Sequence, residues 1–130
     1  MKKLLDTNLL IRFLLNDNPK QSAAVQSLFE TTPDELVLTD VSVAEMIWLL
    51  TSYYQLPKDD VIDKVKQILT LGVINANKSV LSKALSLYQS INIDYIDAYL
   101  AAYCEEENLS SVISFDRDFD KIKSIQRTEP

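Results

Sequence analysis

The sequence contains no histidine, and that absence removes more chemistry than any residue present suggests. Without imidazole there is no Ser–His–Asp nucleophilic triad, no zinc deaminase centre and hardly any zinc site. One cysteine, Cys104, excludes an internal disulfide and leaves a thiol with no histidine to activate it. It falls in the helical run AYLAAYC, where a cysteine serves as a small buried hydrophobe. The one glycine, Gly72, cannot furnish a Gly-rich phosphate loop or a dinucleotide fingerprint. Tight left-handed turns must therefore fall to Asn, Asp or helix caps. No stretch of 18 apolar residues exists to form a membrane span. Asp6, Asn8 and Arg12 interrupt the N-terminal leucines, and no small-residue cleavage site of a secretory signal follows. A lone thiol fits a reducing compartment, so the expected location is the cytoplasm.

What is present describes one soluble domain, residues 1–130, with room for a proper core. A net charge of −6 argues against tight non-specific binding to a nucleic-acid backbone. It leaves a nuclease open, because an enzyme holding several active-site carboxylates is acidic when counted without its cations. Arg12, Lys83 and Arg117 are the candidates for steering a phosphate.

Along the chain, strands alternate with pairs of helices. Residues 2–5 form a strand ending at Asp6, and Leu9, Leu10, Phe13 and Leu14 then recur at helical spacing. A helix over 20–30, a strand over 36–38 and a helix over 42–54 follow, with Pro57 stopping any continuation. Val61, Val65, Ile68 and Leu69 mark the next helix, which Gly72 ends before a strand at 73–74. Helices over 77–89 and 94–107 precede a strand over 112–114, a short helical turn over 118–121 and an edge strand over 124–127. Strands separated by helical pairs predict right-handed crossovers and a parallel α/β sheet.

Four acids, Asp6, Glu45, Asp97 and Asp116, each stand where an apolar strand ends or a helix begins. An α/β sheet can gather such positions outside the carboxyl ends of its strands. Clustered carboxylates need a compensating cation, and Mg²⁺ or Mn²⁺ with oxygen ligands meets the need. Each acid also has a plainer reading. Asp6 is a good helix N-cap, although LLDTNLL offers more polar atoms than a cap requires. Glu45 completes a capping box, Ser42-Val43-Ala44-Glu45, for which Asp40 competes. Asp97 lies in the first turn of a helix capped by Asp94, near its inward stripe, where an unpaired carboxylate is expensive. Asp116 follows the strand VISF, with Asp118 expected more peripherally and Ser114 able to donate to a carboxylate or phosphate.

The segments LLDTNLLIRFLL, VSVAEMIWLL and IDYIDAYLAAYCEEENLSSVISFDRDF together resemble the PIN domain family, and within it the ribonuclease toxins of VapBC toxin–antitoxin modules. The resemblance covers essentially the whole chain. It implies a Rossmann-like central parallel sheet flanked by helices on both faces, with Mg²⁺ or Mn²⁺ held by a central acidic cluster. Asp6, Glu45, Asp97 and Asp116 match the family's four acids by position. Asp118 matches an additional acid, and Thr7, Asn8 and Ser114 match the supporting polar residues. An endoribonuclease, a homodimer and a cognate antitoxin that covers the acidic groove are the implied activity and partners. Where the family often has glycine after the helix carrying the third acid, this chain has Glu107-Asn108-Leu109, and Asn tolerates the left-handed conformation.

The expected reaction is hydrolysis of an RNA phosphodiester by metal-activated water. Asp6, Asp97, Asp116 and Asp118 hold the metal in that expectation, and Glu45 binds metal or accepts a proton. Thr7, Asn8 and Ser114 orient the carboxylates, and Arg12 and Arg117 meet the substrate. The rivals are a nuclease of the same fold acting on DNA and a catalytically inactive interaction module. A phosphoacceptor domain fits poorly, since LLDTNLL supplies one acid where that chemistry wants a pair. Met46, Trp48, Leu49, Tyr53 and Tyr54 occupy more than one helical face, so one core cannot bury them all and a remainder is left for association.

Overall fold

The computed structural model describes residues 1–130 and resolves them into two compact units, Met1–Asn77 and Lys78–Pro130. The fold class is α/β with parallel strands flanked by helices, as the sequence predicts. No helix is long and apolar enough to cross a membrane.

In the first unit, β1 (Lys2–Leu4), β2 (Glu35–Val37) and β3 (Ile74–Asn75) form a parallel sheet in that order. Lys3 pairs with Leu36, and Leu36 with Ile74. Helices α1 (Thr7–Leu15) and α2 (Pro19–Thr31) connect β1 to β2. Asn18 caps α2 by accepting the Gln21 N–H at 3.2 Å, and Pro19 stands at its first position, where a missing N–H costs nothing. Helix α3 (Asp40–Trp48) runs into a π-helical turn, Leu49–Tyr53, before α4 (Lys58–Leu69) starts behind Pro57. Leu10 and Ile11 of α1, Leu36 of β2, Met46 and Ile47 of α3, Val61, Ile62, Val65 and Ile68 of α4 and Ile74 of β3 are buried at helical or strand spacing.

The second unit consists of α5 (Lys78–Ser90), α6 (Tyr95–Glu106) and the parallel pair β4 (Ser111–Ile113) and β5 (Gln126–Thr128). Ala98, Ala101 and Ala102 of α6 and Ala84 of α5 are fully buried, so small side chains let the two helices approach closely. Cys104 is buried in the same apolar cluster as Ile93, Phe119, Ile122 and Ile125, which is the passive role its surroundings predict. A parallel pair cannot be closed by a tight hairpin. The chain therefore returns through residues 114–125, which include a 3₁₀ turn at Arg117–Lys121.

One expected cap is wrong. Helix α3 begins at Asp40, and Thr39 rather than Ser42 is its N-cap, with its hydroxyl accepting the Ser42 N–H at 3.1 Å. The Thr39 hydroxyl takes the Ser42 N–H that the predicted box gave to the Glu45 carboxylate. Glu45 consequently lies beyond the first turn, exposed, and takes no part in capping. Left-handed turns fall where glycine is lacking: Asn16 (φ 52°) ends α1, Asn108 (φ 57°) follows α6, and Gln55 (φ 55°), which the sequence does not announce, follows the π turn. Thr39→Ala should destabilise the protein by about 1 kcal/mol, whereas Glu45→Ala, which removes the side-chain acceptor altogether, should not lower the melting temperature. Calorimetric melting of the two variants separates the caps, and a drop for Glu45→Ala alone would restore the capping box.

Candidate metal centre

Three acids of the second unit meet. One carboxylate oxygen from each of Asp97, Asp116 and Asp118 lies within 4.8 Å of the others. Asp97 comes from the first turn of α6, where the N-terminal dipole favours an anion. Asp94 occupies the N-cap position, yet its side chain makes no capping hydrogen bond, so its charge also stays near the site. Asp116 and Asp118 come from the return loop. The Asp116 N–H donates to Ser114 Oγ at 2.9 Å, and the Asp118 N–H donates to Asp116 Oδ1 at 2.9 Å. These two bonds fold the backbone so that both side chains reach the same place. Asp118, expected at the periphery, belongs to the group as closely as the others.

Electrostatics record the crowding. Partial burial, the charges of Asp116 and Asp94, a hydrogen bond shared with Asp116 and the charge of Asp118 push the Asp97 carboxyl from its ordinary 3.8 up to about 6. Lys121 is the nearest relief: its ammonium stands 3.0 Å from Asp118 Oδ1 and donates to the Asn92 carbonyl at 3.0 Å. The sequence signal for Lys121 is only its i,i+3 spacing from Asp118, and Asp94 reads from the sequence as a helix cap alone. The donor set is all oxygen and carries surplus negative charge. It therefore fits a hard divalent cation such as Mg²⁺ or Mn²⁺.

The remaining expected residues lie as follows. In the first unit, Asp6 stands at the N-cap of α1 and, like Asp94, makes no capping hydrogen bond, so its carboxylate is left for other work. It lines an open hollow of about 350 Å³ with Asn8, Arg12 and Gln21 over Leu9 and Val25. Thr7 is buried, and Glu45 is exposed on α3. The Arg12 guanidinium is engaged with Asp17 at 2.6 Å, which holds Asp17 below the usual carboxylate range. In the second unit, Ser114 supports Asp116 by accepting its N–H, a different task from the donor role its position suggests. Arg117 is exposed and takes no part in the loop's ion pairs. Lys83, a candidate for meeting phosphate, is instead tied to Glu106 at 2.7 Å.

A family model for the PIN domain matches residues 3–125, a span that runs through both units and every acid named above. The chain belongs to the PIN domain family. No curated protein matches the sequence. Two solved structures are similar over nearly full length. The PIN chain shares 14% identity with VapBC2 from Rickettsia felis bound to a promoter DNA fragment, covering 99% of this chain and 98% of that one at a TM-score of 0.43. It shares 19% identity with a toxin–antitoxin complex from Klebsiella pneumoniae, covering 95% and 94% of the two chains at a TM-score of 0.35.

The raised Asp97 carboxyl makes a prediction for the metal-free protein. A carboxyl lifted from 3.8 to about 6 penalises the folded state wherever it is ionised. The penalty is complete above the folded value and vanishes below the unfolded one. Asp97→Asn should therefore melt higher than the parent protein at neutral pH with metal chelated, and the gap should close between about 6 and 3.8 on acidification. A lower melting point for the variant at neutral pH would refute the crowding.

Proposed function

We propose that the protein is a Mg²⁺- or Mn²⁺-dependent endoribonuclease, one PIN domain over residues 1–130 and the toxin of a type II toxin–antitoxin pair. The observation that carries the nuclease reading is the meeting of Asp97, Asp116 and Asp118 within 4.8 Å in a chain of this family. A divalent cation bound there supplies Lewis acidity to water and to the scissile phosphate. Asp97, Asp116 and Asp118 hold it, and Asp6, left unused by its helix, is the metal-binding acid assigned to the first unit. Glu45, an exposed acid of the first unit with no capping duty, would serve as the proton acceptor. Thr7, Asn8 and Ser114 steady the acids. Arg117, exposed in the second unit, and Arg12, which would exchange Asp17 for a phosphate, are the cations assigned to substrate binding. No side-chain nucleophile is needed, which agrees with a chain that has no histidine and whose one thiol is buried. A small domain has little surface for gripping a duplex, which favours single-stranded or loop RNA.

The assay is cleavage of matched RNA and DNA oligonucleotides with Mg²⁺ or Mn²⁺. Loss of a residue that merely supports a metal ligand costs about 10–100-fold, so Asp97→Asn and Asp116→Asn should lose at least about 100-fold on RNA. EDTA should abolish the activity, and Glu45→Gln should lose activity with an unchanged melting temperature. Cleavage of DNA alone would select the DNA-directed rival. No cleavage and no Mn²⁺ binding would leave an inactive interaction module.

The homodimer and the antitoxin rest on the sequence resemblance and on one surface. Met46 is buried, but Trp48 and Tyr53 remain 61% and 72% exposed on α3 and the π turn that follows it. Trp and Tyr are favoured anchors of protein interfaces. Light scattering at micromolar concentration should give about twice the 14.8 kDa of the chain, and Trp48→Ser should shift it toward monomer. A clean monomer that also ignores a co-expressed upstream partner would end this part of the reading and leave the nuclease site untouched.

A further inference from the structure

The return loop between β4 and β5 holds three aspartates within five residues, Asp116, Asp118 and Asp120, yet their side chains go to different places. Asp116 and Asp118 enter the acid cluster, whereas Asp120 turns away to Arg127 on β5. Arg127 meets it as a fork, with Nε 3.0 Å from Asp120 Oδ1 and Nη2 3.3 Å from Oδ2. Its Nη1 donates to the Ser114 carbonyl at 3.0 Å and to Glu129 Oε1 at 2.8 Å. Ser114 stands just before Asp116, and Asp120 just after Asp118. The Arg127 side chain is only 12% exposed, and four of its five N–H donors are committed within the protein. Such an arginine is ill placed to receive a substrate phosphate and well placed to fix a backbone.

We propose that Arg127 is the positioning residue of the acid cluster: it clamps both ends of the segment from Ser114 to Asp120 and so sets the spacing of Asp116 and Asp118. A planar, rigid guanidinium can span a carboxylate and a carbonyl at once, which a lysine ammonium at the end of a flexible stem cannot. Glu129 shares Nη1 with the Ser114 carbonyl but lies outside the clamped segment, so it orients the arginine without holding the loop. That the spacing serves a cation rests on the metal reading above; that Arg127 holds the loop does not.

The test uses the full chain as Arg127→Ala, Arg127→Lys, Asp120→Asn and Glu129→Gln, with Mn²⁺ alone as the titrant in calorimetry. Residues supporting metal ligands typically change affinity about 10–100-fold. Arg127→Ala should weaken Mn²⁺ binding by about that factor, with Arg127→Lys and Asp120→Asn losing less and Glu129→Gln matching the parent. Hydrogen exchange, followed without metal, should quicken at the Asp116 and Asp118 amides in the first three variants and not in the fourth. Should Arg127→Ala fail to fold, Arg127→Lys and Asp120→Asn decide the matter. Parent-like affinity together with unchanged exchange at those two amides would overturn the proposal, whatever happens to the melting temperature. If the parent protein itself ignores Mn²⁺, the metal reading falls, and the exchange measurement alone decides the clamp.

Discussion

Mutual repulsion among three carboxylates is the constraint that organises the second unit. Ionised groups this close would separate if their backbones were free to move. They are not free. Asp97 is fixed by a helix whose alanines, at positions 98, 101 and 102, are fully buried. Asp116 and Asp118 ride a loop anchored from below by Phe119 and Ile122, both in the apolar cluster. The loop's own N–H groups bind Ser114 and Asp116, so the turn is shaped by the residues it must present. Apolar packing thus supplies the force that holds like charges together, and the elevated Asp97 carboxyl is the measure of what remains unrelieved.

Much of this was legible along the chain because it is local. Helical spacing of leucine, isoleucine and valine places the six helices to within a few residues, and strand ends and helix starts mark the candidate acids. Asp97 stood out because apolar neighbours surround it in NIDYIDAYLAAYC. Competition between neighbouring caps was less legible. Thr39 and Ser42 are both good N-caps, and only the backbone decides which N–H each oxygen meets. Long-range pairing was not legible at all. That Arg127 reaches Ser114 follows from the parallel register, Val112 opposite Arg127 and Ile113 opposite Thr128, which no short window contains. Local pattern also could not say that Asp120, two residues from Asp118, points elsewhere.

Two helix starts share a peculiarity that bears on the acids. Asp6 and Asp94 both occupy N-cap positions with extended backbone, and neither side chain caps its helix. An aspartate in that position ordinarily closes onto the N–H groups of the first turn. Leaving both open forgoes local stabilisation and keeps two further anionic groups uncommitted. Asn18 and Thr39, at two other helix starts, do cap. Stability and charge supply are divided among the helix starts of the chain.

The scarcity of glycine reaches beyond the folded molecule. Three left-handed positions are taken by Asn16, Gln55 and Asn108, each at a small local steric cost that glycine would avoid. A chain with a single glycine samples fewer backbone states when unfolded, so less disorder is surrendered on folding. The local strain at three turns is thereby set against a narrower denatured ensemble. Part of what favours the native state is thus a property of the disordered chain, and no contact in the folded structure displays it.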